Sequence, residues 1–299
     1  MKFGKVEDPS GIDFTLPNDH PDTKNVLAGS GKPNIYVGCA NWNRAELKNF
    51  YPRGTKNELV YYATQFNSIE LNATFYNNFP VAIIEGWYNK TPAEFRFFPK
   101  LYQGISHWKR LKYARQPTDV YLDGIAHLQE KLGMLFLQMP DNFGPKDWET
   151  LRDYLEEWPS GFPLALELRH PGWYDGTWNN DNLYALLEKK NITHIITDSA
   201  GRRDLLHMRL TTSTAFVRYN SVNTDLDYKR LDDWFERLKA WSEAGIENIY
   251  FFVHQSHEEG YPLFSAHLIR RMNNELGTTM KIPANAAKPG GNQINLFAD

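Results

Sequence analysis

One cysteine, Cys39, stands in the 299 residues. An intramolecular disulfide and a cysteine-based zinc cluster are therefore excluded. A lone thiol in a short apolar run reads as a buried strand residue. Long hydrophobic runs are missing too. No stretch approaches the roughly 18 consecutive apolar residues of a membrane-spanning helix. The segment Met1-Lys-Phe-Gly-Lys-Val-Glu-Asp-Pro9 lacks the apolar core of a secretory signal, so a cytoplasmic protein without membrane contact is expected. There is no excess of positive charge: 33 Lys and Arg face 36 Asp and Glu, for a net −3. That excludes a broad basic surface gripping nucleic acid by charge alone and leaves room only for a local basic cleft.

Apolar patterning supplies the fold class. Eight short β-favouring runs follow one another, at 35–40, 68–72, 95–101, 134–139, 163–169, 193–198, 215–219 and 248–254. Helical spacing of apolar residues lies between many of them, at 58–66, 119–132, 147–157, 181–190, 228–243 and 261–276. Pro99 marks the end of the third strand or a bulge in it. Apolar strands alternating with helices imply a parallel sheet covered on both faces. Eight strands close an α/β barrel of the TIM type, (β/α)8, in a single domain. The competing arrangement, an open doubly wound sheet, usually carries a Gly-rich phosphate turn after its first strand. Here that place reads Gly38-Cys-Ala-Asn41. The expected organisation is an extended arm over 1–33, the barrel over 34–280 and a flexible tail over 281–299. The connections 102–118 and 199–214 are long enough to fold over the strand ends.

In such a barrel, chemistry sits at the C-terminal ends of the strands. Those ends hold Asn41 and Trp42, Glu70 and Asn72, Lys100, Gln138, Glu167 with Arg169 and His170, Asp198, Arg218 with Asn220, and His254 with Gln255. Carboxylates and cations facing one cleft shift each other's pKa and suit acid/base work on a polar or anionic substrate. Glu167 and Arg169, two apart on one strand, point the same way. Their alternative role is an ion pair that only caps the barrel.

The blocks Gly38-Cys-Ala-Asn-Trp42, Phe50-Tyr-Pro52 and Ile69-Glu-Leu-Asn-Ala-Thr-Phe-Tyr76 resemble the opening of the domain of unknown function 72 family. Thr91 to Lys100, Ser106-His107, Leu132 to Pro140, Leu166-Glu-Leu-Arg-His-Pro-Gly-Trp173, Asp198 and Phe216-Val-Arg-Tyr219 continue the match in order. The resemblance implies a TIM-type barrel and no defined reaction. It suggests a relative of barrels of the xylose isomerase and endonuclease IV type, with hydrolase or lyase chemistry on sugar phosphates or nucleic acid by fold analogy. Carried over by motif, Glu70, Glu167, Lys100, Asp198 and His107 are the candidate catalytic residues. Trp42, Asn72, Tyr76, Gln138, Arg169, His170, Trp173 and Arg218 line the implied pocket, joined by His254. Glu70 and Glu167 are candidate acid/base groups; Lys100, Arg169 and Arg218 would hold an anion; Asp198 and Gln138 would orient substrate. Trp42, Tyr76 and Trp173 offer stacking faces. Two departures stand out. The family usually has Gly-Thr-Ser-Gly-Trp where Cys39, Ala40 and Asn41 occur, which takes two hydroxyls from the implied rim. It has paired asparagines where His254 and Gln255 occur.

No cofactor is expected, and no metal is assigned. His254 and His257 have ligand-like spacing, but Lys100, Arg169 and Arg218 compete for the nearby carboxylates. At the C-terminus, Gln293-Ile-Asn-Leu-Phe297 resembles the peptide that docks bacterial proteins on the replication sliding clamp, through Gln293, Leu296 and Phe297. The residues thus lead to an enzyme acting on a phosphate-bearing or polyhydroxyl substrate, nucleic acid included. The alternative is a non-catalytic ligand-binding adaptor tethered to replication or repair machinery by that tail.

Overall fold

The computed structural model describes residues 3–47, 49–254 and 261–284. Its strands are Asn34–Cys39 (β1), Ser68–Leu71 (β2), Arg96–Pro99 (β3), Leu135–Gln138 (β4) and Leu164–Glu167 (β5). Thr193–His194 (β6), Ile196–Asp198 (β7), Thr214–Asn220 (β8) and Asn248–His254 (β9) follow. All pairings are parallel, in two arcs ordered β3-β2-β1-β9-β8-β7 and β4-β5-β6. The arcs join at both ends. β6 and β7 are one extended stretch broken at Ile195, whose N–H turns to the Leu166 carbonyl at 2.9 Å. Between β3 and β4, Gly133 N–H reaches the Phe97 carbonyl at 2.8 Å and Leu101 N–H the Phe136 carbonyl at 2.9 Å. Eight strand positions thus complete a ring, as expected from the sequence, and the open-sheet alternative falls.

The helices are Glu58–Ala63 (α1), Ala73–Tyr76 (α2), Val81–Asn89 (α3), Arg115–Ile125 (α4), Trp148–Glu156 (α5), Asp181–Lys189 (α6), Leu226–Glu243 (α7) and Tyr261–Glu275 (α8). α3 has no counterpart among the expected helices; only its Ile84 and Trp87 are buried. α4 starts at Arg115 rather than 119, with Pro117 in its first turn, where no intrahelical N–H is lost. It gives way at Ala126 to a 3-10 turn in which Gln129 takes φ 49°. No helix among the described residues is long and apolar enough to cross a membrane.

Strand parity sorts the core into two shells. Cys39, Ile69, Leu71, Phe97, Leu135, Leu137, Leu164 and Leu166 face the helices on one side of the barrel. Val37, Ile196, Val217, Tyr219, Phe251 and Val253 meet Leu231, Trp234, Phe235 and Leu238 of α7 on the other. The alternate positions point inward. Phe98, Phe136, Ala165, Ile195, Phe216 and Phe252 fill the barrel as one cluster, with Phe98–Phe252 and Phe216–Phe252 ring centroids 4.9 and 5.2 Å apart. Gly38 lets β1 approach β2: a Cβ there would stand 2.4 Å from the Ser68 carbonyl oxygen.

The arm before β1 is bound along its length. Gly29 N–H meets the Gly245 carbonyl at 2.8 Å. Thr23 Oγ1 donates to the Met208 carbonyl at 2.8 Å. Asp19 takes Arg237 and, at 2.9 Å, Trp241 Nε1. Phe14 lies against Arg230, and Arg203 donates to the Thr15 carbonyl at 3.1 Å. The Gly4 carbonyl accepts Gly201 N–H at 2.9 Å.

Candidate functional site

Two residues beyond the inward layer, six of the eight strand positions send a polar group into the barrel mouth. Phe98 is followed by Lys100, Phe136 by Gln138, Ala165 by Glu167, Ile195 by Thr197, Phe216 by Arg218 and Phe252 by His254. Glu70 enters from β2. The aromatic shell is the floor, with Phe136 5.2 Å below the Arg218 guanidinium carbon.

Arg218 is the centre. Its Nε and Nη2 donate to Glu70 Oε2 and Oε1 at 2.9 and 2.7 Å, and its Nη1 donates to Glu167 Oε2. Glu70 also receives Asn72 Nδ2 at 2.8 Å and His254 Nε2 at 2.8 Å. Glu167 Oε1 receives Arg169 Nε at 2.7 Å and the Thr197 hydroxyl at 3.0 Å. The cluster is buried, so the removal of charge from water must be offset by this pairing. Burial by itself raises the Glu70 carboxyl, but Arg218 and then His254 outweigh it and hold it well below the usual range. Burial likewise raises Glu167, but Arg169 and Arg218 bring it to about 2. Burial and Arg218 lower His254, against the pull of Glu70. Its imidazole is therefore neutral at pH 7 and donates Nε2–H.

Lys100 is differently placed. Its Nζ donates to the neutral Gln138 Oε1 at 2.6 Å and sits 4.1 Å from the Phe75 ring centroid. Burial, followed by Arg218 and Arg169, pushes its amine down to about 7. His107 lies in the π-helical turn Gly104–Trp108, edge-on to Phe75 at 4.8 Å. Burial and then Lys100 lower it to about 4, so it is a neutral donor or acceptor.

Glu70, Asn72, Lys100, Gln138, Glu167, Arg169, Arg218 and His254 are thus brought together, with His107 beside them across Phe75. The other expected site residues are not. Asp198 points outward, because its inward neighbour on β7 is Thr197. It is held by Arg203, by Arg230 Nη2 at 3.0 Å and by Trp234 Nε1 at 2.7 Å. It pins α7 to the barrel instead of orienting a ligand. Trp173 is buried and donates Nε1–H to the Phe143 carbonyl at 2.9 Å. His170 accepts Gly172 N–H at 3.0 Å and so caps that loop. Trp42 packs edge-on to Trp87 of α3 at 5.7 Å. Tyr76 is exposed beside Phe75. Cys39 faces the helices and is fully buried, so it is no part of the rim. Arg218 has all three nitrogens committed to carboxylates, which removes it from the anion-holding set. Gln255, His257, Gln293, Leu296 and Phe297 lie outside the described residues. Among the described residues, no group of three or more His, Cys, Asp and Glu is arranged to hold a metal ion.

Three contributors were not anticipated: Thr197, Phe75 and Phe3. Counting two residues up from Ile195 would have found Thr197. The Phe3 ring centroid lies 3.6 Å from the Arg169 guanidinium carbon, a contact between distant parts of the chain that no local pattern announces.

The family model described as "Protein of unknown function DUF72" matches residues 36–290. The chain belongs to this family. The UPF0759 protein YecE of Escherichia coli (strain K12) is 25% identical over 273 residues, covering 83% of this chain and 97% of YecE. YunF of Bacillus subtilis is 26% identical over 173 residues, covering 55% of this chain and 60% of YunF. Among solved structures, a DUF72 family protein from Thermotoga maritima superposes with a TM-score of 0.67 at 24% identity, covering 80% of this chain and 99% of that one. One from Enterococcus faecalis gives 0.65 at 19% identity, covering 80% and 95%. These likenesses support the barrel fold that the strand order displays, and family membership brings no reaction with it.

Proposed function

We propose that this member of the family is an enzyme that acts on a small phosphate-bearing or polyhydroxyl substrate at the C-terminal face of the barrel. Lys100 is its proton-transfer group. The observation that carries the reading is the pairing of Lys100 with an uncharged amide at 2.6 Å, inside a cluster whose other charges are matched carboxylate to guanidinium. An amine brought to about 7 exchanges protons at neutral pH, where a general acid or base is most effective. Glu70 and Glu167, held ionised, serve to fix Arg218 rather than to exchange protons. Arg169 commits only Nε to Glu167, and its Nη edge supports the reading of an oxyanion subsite.

Two measurements test this. Calorimetric titration with inorganic phosphate is expected to show binding that Arg169→Ala weakens at least tenfold. The pH dependence of amine acylation, mapped to Lys100 by mass spectrometry, is expected to show a midpoint near 7. No phosphate binding, or a midpoint near that of a free lysine, would remove the basis of the reading.

A further inference from the structure

The matched family region begins at residue 36, so the arm that precedes β1 lies outside the part this chain shares with the family. It nevertheless reaches the barrel mouth. From Gly29, paired with Gly245, it runs past Met208, along Arg237 and Trp241 of α7, and over Arg230 to Gly4. There the backbone is locked. Gly4 takes φ +64°, and its carbonyl accepts from Gly201 N–H at 2.9 Å and from Ser199 Oγ at 3.2 Å. The result is to set Phe3 against two cations at once, with ring centroid distances of 3.6 Å to the Arg169 carbon and 5.5 Å to the Arg202 carbon. Arg202 in turn donates to the Arg169 backbone carbonyl at 2.7 Å. The Arg169 side chain keeps only 13% of its surface.

We propose that Phe3 is a wall of the site and decides how Arg169 is approached. The ring closes one side of the guanidinium, so ligands meet it at its Nη edge. The site then takes a small oxyanion of the phosphate type and turns away a flat ring that would stack on the cation. This deepens the anion-subsite reading above and rests on it for the ligand, but not for the position of the wall. The arrangement uses the attraction of a cation to an aromatic face, which is strongest where water is excluded.

Phenylglyoxal condenses with guanidinium groups, and peptide mass spectrometry of the full chain reads its rate at each arginine. Phe3→Ala is expected to raise the rate at Arg169 at least fivefold and to leave the more exposed Arg44 unchanged. Gly4→Ala is the second variant. Its Cβ would stand 1.8 Å from Ser199 Oγ, which unseats Phe3 without removing it, and the same rise is expected. An unchanged Arg169 rate in either folded variant overturns the proposal. Selection is read by comparing inorganic phosphate with phenyl phosphate. Phe3→Ala is expected to move the affinity ratio about fivefold toward phenyl phosphate, and an unmoved ratio also overturns it. Should no protein bind phosphate, the anion subsite fails as a reading, and Arg169 labelling alone decides the position of Phe3.

Discussion

Replacing Glu70 by glutamine keeps the shape of the side chain and removes its charge. Every acceptor position of that carboxylate faces a donor. Oε2 receives Arg218 Nε at 2.9 Å and His254 Nε2 at 2.8 Å; Oε1 receives Arg218 Nη2 at 2.7 Å and Asn72 Nδ2 at 2.8 Å. A glutamine amide turned either way sets its NH2 against an Arg218 N–H. Arg218 is left with Glu167 alone, in a place with no solvent to take up the difference. Breaking one side of a buried ion pair costs about 3–5 kcal/mol. For 299 residues, an unfolding entropy of about 2.1 cal/mol/K per residue turns this into a fall in Tm of about 5–8 °C. Urea unfolding followed by tryptophan fluorescence, together with calorimetry, reads both quantities. The double variant Glu70→Gln/Arg218→Met should lose about 1–3 kcal/mol less than the sum of the single losses, because it also removes the stranded cation. A Glu70→Gln loss below about 1 kcal/mol, or strict additivity, would refute the view that Arg218 is held by charge.

Two further outcomes follow from features away from the mouth. His207 is stacked on His194 with ring centroids 3.9 Å apart, and burial, the main cause, lowers it from 6.5 to about 4. Its folded value lies below its unfolded one, so its contribution is complete above pH 6.5 and is lost as pH falls toward 4, about 3 kcal/mol in all. His207→Gln should flatten the stability slope in that window, and a slope equal to wild type would contradict the assignment. Gly38→Ala should cost about 1–3 kcal/mol through overpacking against the β2 backbone; a denaturation midpoint equal to wild type would show that β1 can move away freely.

The ring of strands was legible because its apolar runs are short, parallel in character and separated by helical spacing. The break at Ile195 was not, since it is a hydrogen-bond event inside a single β-favouring run, Thr193-His-Ile-Ile-Thr-Asp198. α3 escaped because the segment Val81 to Asn89 buries only two apolar side chains while Val81 and Ile83 stay exposed, so no apolar stripe marks it. The site was half legible. Gathering all polar strand-end residues captured Glu70, Lys100, Gln138, Glu167, Arg218 and His254, but it ignored parity. Counting from the inward aromatic layer keeps those six and replaces Asp198 by Thr197. The aromatic candidates failed for another reason. Trp42 and Trp173 sit one or more turns of chain beyond the strands, where loop packing, not strand alternation, sets direction. The different surroundings of Glu167, paired with two guanidinium groups, and Lys100, paired with an amide, were out of reach from composition, because they depend on which partner each side chain meets.

The bound arm also constrains the order of assembly. Its first partners in space are nearly its last in sequence: Thr23 waits for Met208, 185 residues on, and Asp19 for Trp241, 222 residues on. During synthesis at roughly 5–20 residues per second, the arm emerges first and has no docking surface for roughly 10–50 s. Closing so long a loop is slow compared with forming any neighbouring β/α unit. The Phe3–Gly4 end can meet Arg169, Ser199, Gly201 and Arg202 before α7 has been made, but the arm is fixed along its length only once Arg230, Arg237 and Trp241 are in place.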